Sequence, residues 1–259
     1  MDLMKKIVLI LCLFQALYAY PCSIFSYNEN GRILFCANED WISASPAIMI
    51  IRSTGNKYGV VLLGWSNYLP NYPQAGVNSE GLCFDWASVP AQKYAPNKDK
   101  KTLDINSTIE MLQKCRNIDE AIKYISDDNY PHIAEEHLML CDKAGSCVIE
   151  YTKGELRIIR SKGISQYITN FNLSDKEAGW YPCTRYTVME SRLEAKGLSE
   201  TDLIAVLKET HQEAECTTQY SYIIDVTALT VQVFLKHQFA AGKVYDIKDL
   251  LSSDQKINM

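Results

Sequence analysis

The chain has 259 residues, 47% hydrophobic and 22% charged, with 12 glycines and 8 prolines. Those proportions exclude a disordered, collagen-like or mucin-like chain and leave ample apolar material for a packed core. The formal charge is −5, with no dense basic stripe to neutralise phosphates, which argues against a nucleic-acid partner.

Residues 1–20 open with the basic pair Lys5-Lys6 and the apolar run Ile7–Phe14, and reach small-residue chemistry at Ala19. This is the layout of a secretory signal peptide with Ala19 as the last residue removed. The apolar run is well short of the roughly 20 residues of a membrane-spanning helix. The expected protein is therefore exported, to a periplasm, the extracellular space or a lysosome-like lumen, with no membrane span left after processing. Of nine cysteines, Cys12 leaves with the signal.

Strands are expected at Cys22–Tyr27 and Ile33–Ala37, joined by an Asn30-Gly31 turn, and at 47–52 and 58–63. Residues 68–76 hold two prolines and read as a surface loop before a strand at Gly81–Ala87. Helices are expected at Asn106–Cys115, with Ser107 and Glu110 as a capping box, and at 121–125 after Asn117 and Glu120. Strands at 138–141, 147–151, 155–160 and 166–169 follow. Two further helices cover 186–196 and 202–209, the second capped by Ser199, and strands at 220–225 and 231–235 close the pattern. Strands outnumber helices, and the helices come in groups, so the fold class is α+β layers rather than a doubly wound sheet. No repeat or linker divides residues 22–259, which read as one domain.

Common catalytic constellations are missing: there is no G-x-S-x-G, no H-E-x-x-H and no P-loop lysine. With four histidines in all, and His132 and His137 badly spaced for one helix face, no metal centre is expected. Cys141 and Cys147 flank a turn, where they form either a disulfide or core packing. Cys22 stands apart, because a cysteine at a new N-terminus carries its own base. An α-amino group with pKa near 7.7–8.0 is partly neutral at pH 7 and can take the thiol proton. A buried or disulfide-bonded cysteine is the alternative.

Cys22-Ser23-Ile24-Phe25, followed by Cys36-Ala37-Asn38-Glu39-Asp40-Trp41, resembles the opening of the choloylglycine hydrolase family. That family of N-terminal-nucleophile hydrolases includes bile salt hydrolases, penicillin V acylases and related acyltransferases and acid amidases. Further likenesses follow in the family's order. Gly76-Val77-Asn78-Ser79-Glu80-Gly81-Leu82 is similar to its G-M-N-E-K-G-L segment, and 137–151 to its paired strands. Thr169-Asn170 is similar to T-N-x-P, Cys183-Thr184-Arg185-Tyr186 to S-R-F, and Thr218–Ser221 to a late strand.

The resemblance implies a four-layer αββα sandwich and cleavage of a linear N-acyl amide through a Cys22 acyl-enzyme. It implies Asp40 orienting the α-amino group, Asn170 donating to the oxyanion, and Arg185 near the nucleophile. Ser88 falls near the second oxyanion position, and Asn38, Asp85 and Trp86 are candidate pocket residues. Trp65, Tyr68, Tyr72 and Trp180 are candidate loop aromatics for an apolar acyl group. No metal or organic cofactor is called for, and the partner implied is a small N-acyl amide. Oligomeric state stays open, as do acyl transfer and a non-catalytic binding role on the same fold. Two departures stand out. The family's arginine is Ala37 here, and cleavage after Ala19 leaves Tyr20-Pro21 ahead of Cys22, so a further trimming step is expected.

Overall fold

Asn30 and Gly31 take left-handed φ values of 54° and 77°, as a two-residue type I′ turn requires. They join β1 (Ser23–Glu29) to β2 (Arg32–Trp41), with Glu29 opposite Arg32. The computed structural model describes residues 22–259 except 44, 179, 215, 253 and the side chain of 178. The expected signal peptide and the Tyr20-Pro21 dipeptide lie outside the described residues.

Two antiparallel sheets form the centre. The six-stranded sheet has the order β10 (Ser165–Ile168), β1, β2, β11 (Thr217–Asp225), β12 (Thr230–Leu235), β13 (Lys243–Asp246). The eight-stranded sheet runs β14 (Gln255–Asn258), β3 (Pro46–Ile51), β4 (Val60–Trp65), β5 (Ala75–Asn78), β6 (Cys83–Ser88), β7 (Glu136–Asp142), β8 (Gly145–Thr152), β9 (Glu155–Arg160). Their facing sides share one core, with Ile24, Phe35, Tyr220 and Tyr222 meeting Val61, Leu63, Val77 and Met139.

Helices cover both outer faces. Helices α1 (Ser107–Lys114) and α2 (Ile118–Asp127) pack Met111, Leu112, Ile118 and Ile125 on Leu62, Phe84 and Leu140 of the larger sheet. Helices α3 (Thr184–Leu193) and α4 (Glu200–Thr210) pack Met189, Leu193, Leu203 and Leu207 on Phe25, Leu34 and Ile223 of the smaller one. The result is the expected αββα sandwich. Because both faces of each sheet are covered, central strands such as Val60-Val61-Leu62-Leu63 read as unbroken apolar runs.

The Gly76–Leu82 motif is a structural joint. Buried Asn78 donates from Nδ2 to the carbonyls of Leu112 and Cys115, both at 2.8 Å, and so closes the C-terminus of α1. Its Oδ1 accepts from the backbone N–H groups of Glu80 and Leu82, while Gly81 supplies a φ of 94°. A Cβ on Gly76 would lie 2.9 Å from the Phe84 ring and 3.0 Å from Leu112.

Several expectations need correction. Ser107 does not cap α1: Asp104 captures its backbone N–H and hydroxyl, while the capping boxes at Asn117 and Ser199 do place side-chain oxygens on the expected N–H groups. Cys141 and Cys147 do not pair. Cys141 is opposite Ser146, so the two side chains fall on opposite faces of the sheet, one in each core. Strand β13, the short helix α5 (Ile247–Leu250) and β14 were not legible in the sequence. No described helix is long and apolar enough to cross a membrane.

Candidate active site

The register of β1 and β2 pairs Ser23 with Asn38 and Ile24 with Ala37, which sets Cys22 beside Glu39. Strand alternation then points Cys22, Ala37 and Glu39 into the space between the sheets, and Asn38 and Asp40 the other way. The Cys22 Sγ lies 3.7 Å from Glu39 Oε2. Burial pushes the thiol pKa well above its usual range, and the carboxyls of Glu39, Asp40 and Asp85 push it further; the backbone N–H of Asp40 opposes them.

Arg185, in the first turn of α3, joins the pieces. Its Nη1 donates to the Cys22 carbonyl at 2.6 Å and to Ser23 Oγ at 2.8 Å, and its Nη2 to Asn170 Oδ1 at 2.8 Å. The same Nη1 is 4.0 Å from Asp40 Oδ2. Only a guanidinium, with donors in a rigid fork, makes these contacts at once.

Asp40 is buried and accepts from Gln212 Nε2 at 2.8 Å and from the Thr218 hydroxyl. Burial lifts its pKa to about 7, against the pull of Arg185 and these hydrogen bonds. Asn170 follows β10 and donates from Nδ2 to the Ser88 carbonyl at 2.9 Å. Its amide orientation is fixed, since the guanidinium can only donate and the carbonyl only accept. The neighbouring Thr169 carbonyl accepts from His137 Nε2 at 2.7 Å, and Glu150 accepts from the backbone N–H groups of Leu173 and Ser174. This buried pair holds the segment that carries Asn170.

Opposite the thiol, Asp85 and Glu39 form a buried carboxyl pair. Asp85 accepts from the Trp86 backbone N–H at 2.6 Å and from the Tyr222 hydroxyl. Glu39 Oε1 is buried and has no hydrogen-bond partner, and the Asp85 carboxyl is close enough for its charge to act on Glu39. Two neighbouring buried carboxyls resist ionising together. Burial raises Asp85 to about 7, and burial together with the Asp85 charge raises Glu39 well above the usual carboxylate range.

The structure thus gathers Cys22, Asp40, Asn170 and Arg185, with Asp85 and the Ser88 backbone beside them. It places Asn38 and Trp86 elsewhere. Asn38 Nδ2 donates to the Leu207 carbonyl and Thr210 Oγ1 and fixes α4 on β2. Trp86 lies on the helix side of β6, edge-on to His132 with ring centroids 4.9 Å apart. Trp65 is buried rather than exposed on a loop, and belongs to an aromatic wall that leaves the site. Tyr220 meets Trp65 at 5.3 Å, Trp65 meets Trp41 at 5.7 Å, and Trp41 meets the exposed Tyr68 at 6.1 Å. Glu39, Gln212 and Thr218 were not picked from the sequence. Of these, only Glu39 carried a signal, as an acid inside an apolar strand.

No family model and no curated protein matches the sequence. Solved structures do match the fold. A mutant of the conjugated bile acid hydrolase of Clostridium perfringens is 14% identical, with a TM-score of 0.64 over 92% of this chain and 96% of that one. Penicillin V acylase of Agrobacterium tumefaciens is 15% identical, with a TM-score of 0.66 over 91% and 90%. The N-acylethanolamine-hydrolyzing acid amidase orthologue of Caenorhabditis elegans is 12% identical, with a TM-score of 0.55 over 92% and 100%. The layered sheets and these likenesses together give the chain the αββα fold of N-terminal-nucleophile hydrolases.

Proposed function

We propose that the chain is an exported cysteine amidase that hydrolyses a linear N-acyl amide, and that its active form begins at Cys22. One observation carries the reading: Arg185 holds the Cys22 carbonyl, Ser23 and Asn170 while standing next to Asp40. Cys22, Asp40 and Asn170 are thereby gathered around one guanidinium.

In this mechanism the Cys22 α-amine takes the thiol proton, and the sulfur attacks the amide carbonyl. The oxyanion accepts a hydrogen bond from Asn170 Nδ2. Collapse breaks the C–N bond, and the leaving amine takes the proton from the α-ammonium. Water, deprotonated by the same amine, then cleaves the thioester, releasing the acid and restoring the thiol. Asp40 orients the amino group.

The test uses protein beginning at Cys22 and its Cys22→Ala variant against a bile acid amide, penicillin V and an N-acylethanolamine. Turnover with an acyl adduct on Cys22, absent from the variant, is expected. Binding without turnover or adduct across a wider amide panel would replace this reading with a non-catalytic one. Intact-mass analysis tests the processing: full activity in protein that retains Tyr20 overturns it.

A further inference from the structure

His211, Glu213 and His237 come from two separate segments, yet their ligand atoms lie within 4.8 Å of one another. His211 and Glu213 flank Gln212 just after α4, and His237 follows β12. The two imidazole centroids are 4.4 Å apart, and His211 Nε2 is 2.9 Å from Glu213 Oε1.

The orientation of the rings suits metal binding. His211 Nδ1 is 2.5 Å from the Lys208 carbonyl, which can only accept, and Nε2 faces the Glu213 carboxylate, where a bound cation would take the place of the proton between them. His237 Nε2 is buried and has no hydrogen-bond partner. Its backbone is unusual as well. Lys236 and His237 both take left-handed φ, 42° and 63°, a conformation non-glycine residues rarely hold. That geometry brings His237 onto His211 instead of letting it continue the strand.

We propose that His211, Glu213 and His237 form a binding site for a zinc-class divalent cation. Two imidazoles and a carboxylate are a ligand set zinc accepts, with a fourth position left for water. The site lies one residue from the Asp40 network. Gln212 donates to Asp40 from its side chain, and its backbone pairs with Thr218, which also donates to Asp40. A cation held by His211 and Glu213 therefore braces the loop that supplies both of those hydrogen bonds. Its role is structural positioning, separate from bond cleavage.

The test is titration of zinc alone into metal-free protein, followed by calorimetry, with cobalt(II) absorption as a second readout. One equivalent should bind, and the cobalt spectrum should lack the intense thiolate charge-transfer band that cysteine ligation would give. His237→Asn keeps a residue that tolerates left-handed φ and should weaken zinc binding about 100-fold or more. His211→Asn should do the same while circular dichroism of the metal-free protein stays unchanged. Equal affinity in wild type and His237→Asn, a thiolate band, or no binding would overturn the proposal. None of these readouts depends on amide turnover.

Discussion

Replacing Glu39 with glutamine tests the carboxyl pair directly, because the side chain keeps its size while losing its charge. At the observed 3.7 Å between Cys22 Sγ and Glu39 Oε2, an ionised Glu39 opposes a thiolate by about 4–5 kcal/mol at an effective dielectric near 20. That corresponds to roughly 3 pKa units as an upper limit. Burial and the Asp85 charge raise the Glu39 pKa in the folded protein, so the full penalty applies only at the alkaline end, where Glu39 is ionised. Glu39→Gln should therefore lower the apparent Cys22 pKa by about 1–3 units. The assay is the pH dependence of Cys22 alkylation, followed on the Cys22 peptide by mass spectrometry so that the other thiols do not contribute. Asp40, Asp85, Tyr220 and Arg185 also act on this site and remain in the variant. An unchanged or raised Cys22 pKa would refute the argument that Glu39 restrains the thiol.

Asn170→Ala should reduce kcat about 10²–10³-fold with little change in KM, as for loss of one oxyanion donor; a change confined to KM would remove Asn170 from that role. Folding stability should fall as pH rises from about 4 to 7. Asp85 keeps its proton to about 7 when folded but ionises near 3.8 when unfolded, so the native state holds the extra proton across that window. The loss is at most ~4 kcal/mol for this group, read by denaturant unfolding at several pH values. Asp85→Asn should flatten the fall, and a wild-type profile that rises over this window contradicts it. Asn78→Ala should cost about 2–4 kcal/mol, because it leaves buried N–H and carbonyl groups unpaired. Its kcat should stay unchanged, since Asn78 joins α1 to the turn before β6 and touches none of the reacting groups.

The sequence was informative where local physics decides. The Asn30-Gly31 turn, the Ser199 cap and the central apolar strands form as their residues dictate. It was silent where the outcome depends on distant partners. Strands β13 and β14 are mostly polar, and they form because β12 and β3 offer open edges. Asn38 and Asp40 look equivalent in the motif, but α4 takes one and Gln212 and Thr218 take the other. Trp86 and Asp85 are neighbours that strand alternation sends to opposite faces.

Glu39 also bears on how the thiol is activated where Ala37 replaces the arginine of the resembled family. Both residues face the interior, so this strand supplies the thiol with a carboxyl and no cation. Transfer of the proton from the thiol to a Cys22 α-amine leaves the net charge unchanged, and its position depends on which partner each carboxyl faces. Glu39 is nearest the sulfur, so the thiolate form is favoured while Glu39 is neutral. Asp40 serves the amine in the proposed mechanism, so the ammonium form is favoured while Asp40 is ionised. Both conditions hold in the window above the Asp40 value of about 7 and below the point at which Glu39 ionises, which burial and the Asp85 charge push up. The pH profile of kcat/KM should therefore be bell-shaped, with Asp40 on the acid limb and Glu39 on the alkaline limb. Glu39→Gln should extend the alkaline limb and leave the acid limb in place. A variant that shifts both limbs together would mean that the three acids titrate as one unit, and that Asp40 and Glu39 do not act on separate partners.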